Sequence, residues 1–92
     1  MMRDLGDRIE VTGAMTLTMA SGLLAEGKTI LSGADAVFDL AGVTDVDSSG
    51  LAVVFGWQRT AKQLGKNIRI ANPPQNLSSL ADVYGVRELL PL

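Results

Sequence analysis

Two carboxylates and two hydroxyls stand together in Asp45-Val46-Asp47-Ser48-Ser49-Gly50-Leu51, the strongest candidate for chemistry in the chain. The plainest use of these residues is helix capping. Asp47, Ser48 or Ser49 can accept hydrogen bonds from the first-turn amides, a contribution of about 1 kcal/mol. Calcium binding is a sharper reading, because Asp45, Asp47, Ser49 and Gly50 match the opening positions of an EF-hand loop. It fails at the last position of such a loop, where a bidentate glutamate is needed and Gly56 stands instead. An Asp-x-Asp phosphotransfer site at Asp45 and Asp47 lacks a phosphate-clamping set and a glycine-rich loop elsewhere in the chain. The remaining reading treats a serine hydroxyl at a helix start as a contact or modification point. Backbone amides and the helix dipole favour an added anion there. Asp35, Asp39, Asp45 and Asp47 follow one another with no intervening Lys or Arg, so a phosphate on Ser48 or Ser49 would also meet repulsion.

Composition removes most other chemistries. The 92 residues include no cysteine and no histidine, which excludes disulfides, Cys/His zinc sites and His-dependent nucleophilic triads. A net charge of −2, with a pI near 4.8, offers little to a polyanion and argues against nucleic-acid binding. Neither a cofactor nor a metal is implied. At 47% hydrophobic and 20% charged residues, the chain is expected to fold as one small globular domain over residues 1–92. The longest uncharged stretch, Val11 to Ala25, is broken by threonines, Ser21 and two glycines, and is too short and polar for a membrane span. Arg3, Asp4, Asp7, Arg8 and Glu10 are the wrong start for a secretory signal, so a cytoplasmic location is expected.

The elements that must position the motif can be read from periodicity. Met2–Leu5 and Arg8–Thr12 flank Gly6-Asp7, a hairpin signal, and Ile9 and Val11 alternate with polar neighbours as in a half-buried strand. Thr16 or Thr18 is expected to cap a helix running to about Leu31, with Met19, Leu23, Leu24, Ile30 and Leu31 as its apolar positions, weakened by Gly22 and Gly27. Ala36–Leu40 reads as a central buried strand, followed by a turn at Ala41-Gly42. Val53, Val54, Trp57, Ala61 and Leu64 form one helical stripe ended by Gly65. Asn67–Ala71 is a strand. Leu77, Leu80, Ala81 and Tyr84 line a last helix ended by Gly85, and the tail through Pro91 adds one further turn. The fold class is therefore α/β, in the order β-β-α-β-α-β-α, with one mixed sheet and helices packed against it.

The helix after the serines is apolar all round for two turns, from Leu51 to Trp57. With Val53, Val54 and Trp57 facing the sheet, Leu51 and Phe55 point elsewhere. Either they wedge against neighbouring helices or they form an exposed apolar patch beside the serines, which would mark a protein interface. Arg59, Lys62 and Lys66, on the far half, read as a solvated face.

The segment Phe38-Asp39-Leu40, followed by Val43-Thr44-Asp45-Val46-Asp47-Ser48-Ser49-Gly50-Leu51, resembles the signature of STAS domains, the family of sulfate-transporter and anti-sigma-factor-antagonist domains. The likeness extends through the following helix, the Asn67–Ala71 strand and the final helix. It implies a non-enzymatic domain that docks on an ATP-using partner through Asp47, Ser48, Ser49, Gly50, Leu51 and Phe55. The chain end, Leu80-Ala81-Asp82-Val83-Tyr84-Gly85-Val86 to Leu90-Pro91, is similar to the MlaB-like branch. That branch implies an ABC-transporter ATPase subunit as partner, in phospholipid transport at the inner face of the inner membrane, with the hydroxyl of Ser48 as the contact. The anti-sigma-factor-antagonist branch implies instead that a partner kinase, itself the anti-sigma factor, phosphorylates the motif at Ser49, with Ser48 the other candidate. A third class is a structural or small-ligand-binding STAS module with no switching, which saturable binding of nucleotide or fatty acid would reveal.

Overall fold

The computed structural model describes residues 1–92. Strand β1 (Met2–Asp4) and strand β2 (Ile9–Met15) form an antiparallel pair across the Gly6-Asp7 turn. A 3-10 turn at Leu17–Met19 leads into helix α1 (Ala20–Leu31). Strand β3 (Ala36–Val46), helix α2 (Ser48–Gln63), strand β4 (Ile68–Ala71) and helix α3 (Gln75–Val83) follow, and a last 3-10 turn covers Arg87–Leu89. The sheet order is β1-β2-β3-β4, with β2, β3 and β4 mutually parallel.

The steps from β2 to β3 and from β3 to β4 advance in the same direction. Two crossovers of the usual right hand then set α1 and α2 on the same face of the sheet. Burial agrees with this arrangement. Ile9, Val11, Met15, Phe38, Leu40 and Ile70 are buried, while Glu10, Thr12, Val37 and Asp39, which alternate with them, remain partly exposed. The uncovered face is held by polar contacts: Arg3 pairs with Glu10 at 3.1 Å, and Arg8 with Asp39 at 3.1 Å. Under the helices, Trp57 stacks on Phe38 with ring centroids 4.3 Å apart, and its Nε1–H donates to the Leu23 carbonyl at 2.9 Å. That indole lies where a Cβ on Gly27 would be, so the glycine that weakens α1 as a helix is also what lets α2 approach.

Four expectations are corrected. Ala41-Gly42 is not a turn. Strand β3 continues through it for 11 residues because its second half pairs with the second half of β2, and the mismatch in length is taken up by bulges. The register passes from Glu10↔Asp39 to Thr12↔Gly42 and from Gly13↔Val43 to Ala14↔Asp45, one extra β3 residue each time. At the first bulge the Ala41 N–H turns to the Asp39 carboxylate, 3.0 Å away. Thr16 precedes the 3-10 turn without a side-chain capping bond, and Thr18 lies within that turn, so neither caps a regular helix. Met19 and Leu24 are exposed rather than core. Leu64 and Tyr84 are also exposed, because each sits at the residue where its helix stops.

Candidate functional site

Asp47 is the N-cap of α2 and has extended backbone angles. Its Oδ1 accepts from the Ser49 N–H at 2.8 Å and the Gly50 N–H at 3.3 Å. Its Oδ2 accepts from the Leu17 N–H at 3.2 Å, while its own N–H donates to the Met15 carbonyl at 3.4 Å. The side chain therefore closes the helix start and holds the turn after β2, while the backbone N–H of the same residue ties the end of β2 to the end of β3. The capping reading of Asp47 describes the observed geometry. Gly50 completes the joint. A Cβ there would strike the Met15 carbonyl oxygen and the Val46 side chain, so the first turn of α2 can lie against the end of β2 only with glycine.

These bonds leave the serine hydroxyls out of the capping. Ser48 is exposed and Ser49 half-buried. Ser48, Ala52, Phe55 and Arg59 recur at helical spacing on the outer side of α2, where Phe55 is half-buried and packed on the edge of the core. Leu51 is 5% exposed and belongs to the core. The choice left open for Leu51 thus falls to packing against neighbouring elements, and no exposed patch includes it. Gly50 and Leu51 shape the surface from beneath, and Asp47, Ser48, Ser49 and Phe55 are the residues of the motif that reach it.

Ser48 also lies on a groove of about 400 Å³ between the start of α2 and α3. Its apolar wall is Leu80, Val83 and Tyr84, of which Val83 is 78% and Tyr84 58% exposed. The sequence pattern gave Leu80 and Tyr84 as apolar positions of the last helix and left Val83 out of that set. A signal was present: Asn76, Leu80 and Val83 fall three and four residues apart on a second side of α3. On the other flank, Leu17, 73% exposed, projects from the turn whose amide Asp47 holds.

The run of aspartates does not converge on the site. Asp35 precedes β3 at its other end and accepts from the Asn67 N–H at 2.8 Å, which holds its carboxyl below the ordinary range. Asp39 lies mid-strand on the uncovered face. The Asn72 amide, then the Ala41 N–H, and also Arg8 hold its carboxyl below the ordinary range. Only Asp45 and Asp47 stand beside the serines. A phosphate on Ser49 would find the Ser49 and Gly50 amides already bonded to Asp47. No group of three or more acidic side chains is placed to hold a metal ion.

A family model described as the MlaB STAS domain matches residues 2–91. The intermembrane phospholipid transport system binding protein MlaB of Haemophilus influenzae is 31% identical over 51 residues, 55% of this chain and 49% of that protein. The match thus spans about half the length of that relative. Among solved structures, the anti-sigma factor antagonist SpoIIAA in its unphosphorylated form superposes with a TM-score of 0.72 at 15% identity, covering 96% of this chain and 82% of that one. A structure of Mglu gives a TM-score of 0.64 at 20% identity, covering 82% of this chain and 20% of that one. Both likenesses are of fold.

Proposed function

The chain belongs to the STAS domain family, of the MlaB type, and we propose that it is a non-enzymatic docking subunit for the ATPase of a phospholipid-transporting ABC system. The observation that carries this reading is the presentation of Ser48. Ser48 is exposed on the first turn of α2, beside a groove with an apolar wall, on a joint held by Asp47 and fitted by Gly50. An exposed hydroxyl next to apolar surface suits a permanent contact, in which a partner's polar group meets Ser48 and its apolar side chain enters the groove. The MlaB relative, part of a phospholipid transport system, supports the choice of partner. No helix is long and apolar enough to cross a membrane; the proposed position is the inner face of the inner membrane, reached through the partner.

The second reading is an anti-sigma factor antagonist switched by phosphorylation of Ser49. The Asp47-Ser48-Ser49-Gly50 motif supports it, since Ser49 is a hydroxyl at a helix N-terminus. Native affinity capture from the source cell, with the partner identified and the intact mass of the bait measured, separates the two. An ABC ATPase on unmodified bait is the expected result. A kinase-type partner with singly phosphorylated bait would transfer the assignment to the sigma-factor switch, and recovery of neither would count against both docking readings.

A further inference from the structure

Strand β3 outruns its neighbour. Pairing with β4 stops at Asp39↔Ala71, yet β3 continues to Val46, and no other strand lies on that side. From Leu40 to Val46 one edge is bonded to β2 and the other has no strand partner. Ala41, Gly42, Thr44 and Asp45 along this stretch are exposed, and the stretch carries no lysine, arginine or proline; its two bulges, at the first of which the Ala41 N–H is taken by Asp39, are what blunt it. An open edge offers a row of backbone donors and acceptors whose natural complement is another extended backbone.

The surroundings describe that complement. On the helix side, Val46 at the end of the edge opens into the groove walled by Leu80, Val83 and Tyr84. On the outer side, Asp45 pairs in register with Ala14, one position from the inward Met15↔Val46 pair, so its carboxylate faces away from the helices. It takes part in none of the ion pairs of the structure. A strand laid on this edge would send alternate side chains into the apolar groove and towards Asp45. We propose that the Ala41–Val46 edge is a docking site for an extended segment of a partner protein with alternating apolar and basic residues, added as a further strand of the sheet. Charge complementarity selects this occupant over a second copy of the chain, whose own Asp45 would be brought to the same acidic edge. The inference does not depend on the partner being a transporter ATPase.

The test uses the isotopically labelled full chain and short blocked peptides alternating lysine and valine, with glutamate–valine peptides as controls. Saturable shifts confined to Ala41–Val46 and the groove, with slowed amide exchange in Ala41–Val46, are expected for the lysine series. Asp45→Lys, at an exposed position, should bind the lysine peptides about tenfold more weakly and gain affinity for the glutamate series. Lack of saturable binding, equal binding of both series, shifts elsewhere, or dimerisation of the chain through this edge would overturn the proposal. The titration contains no ATPase, so its failure leaves the transporter reading standing, and failure to capture an ATPase leaves the edge proposal standing.

Discussion

Ser48 and Ser49 are adjacent in the chain, yet one faces solvent and the other is half-buried, and this difference divides their expected roles. Ser48→Glu puts a charge at the proposed contact, beside Asp45 and Asp47, and should weaken co-purification with the ATPase at least tenfold. Ser49→Ala should leave it within about twofold, since its half-buried hydroxyl takes no part in the capping bonds (both figures follow from the cost of a desolvated like charge against the loss of one hydroxyl). Equal losses from the two variants would contradict the division, and abolition of phosphorylation by Ser49→Ala would favour the sigma-factor switch. Asp47 has a different character. Asp47→Ala removes the cap of α2 and the tie to Leu17 together, and should lower stability by about 1–2 kcal/mol in urea unfolding. Its effect on partner binding would then be indirect, and cooling should rescue it while leaving the Ser48→Glu loss in place.

At the scale of elements, the join between β3 and its neighbours on the uncovered face depends on one carboxylate. Asp39 is 13% exposed and accepts from Arg8 on the β2 side and from Asn72 just after β4, whose left-handed backbone (φ 51°) swings the amide inward. Its folded pKa lies below its unfolded value, so its contribution is complete above the ordinary aspartate range and is lost as pH falls through the folded value. Asp39→Asn should lower the urea midpoint near neutral pH and flatten the decline of that midpoint on the acid side. An unchanged acid limb would show that Asp39 does not set it. Element order was legible because each crossover pairs a short apolar strand with a periodic helix, as in Ala36–Leu40 followed by the Val53, Val54, Trp57, Ala61 stripe. The length of β3 was not, because Ala41-Gly42 has turn composition and only the partner strand β2 reveals a bulge. The motif itself was legible at Asp47 and the serines. The groove was not, because the apolar residues of α3 can be assigned to core or wall only when the neighbouring helix is in place.

For the molecule as a whole, closure comes from the last residues of the chain. Leu90 is buried in the core, and the Pro91 carbonyl accepts from the Ile70 N–H at 2.7 Å, so the tail lies along β4 and covers that edge of the sheet. Leu90→Ala should cost about 2–4 kcal/mol. Removal of Leu90–Leu92 should add self-association through the uncovered β4 edge, detectable by sedimentation; a monomeric truncated chain of unchanged stability would show that the tail does not close the fold.

The same molecule carries its own optical gauge. Trp57 is the single tryptophan, and it is sealed between α1 and the sheet against Phe38. Its emission therefore responds to the integrity of the interior and is blind to events at the serines or along the β3 margin. A partner that seats without disturbing the interior leaves the spectrum silent, and one that prises α1 from α2 announces itself by a shift to longer wavelength.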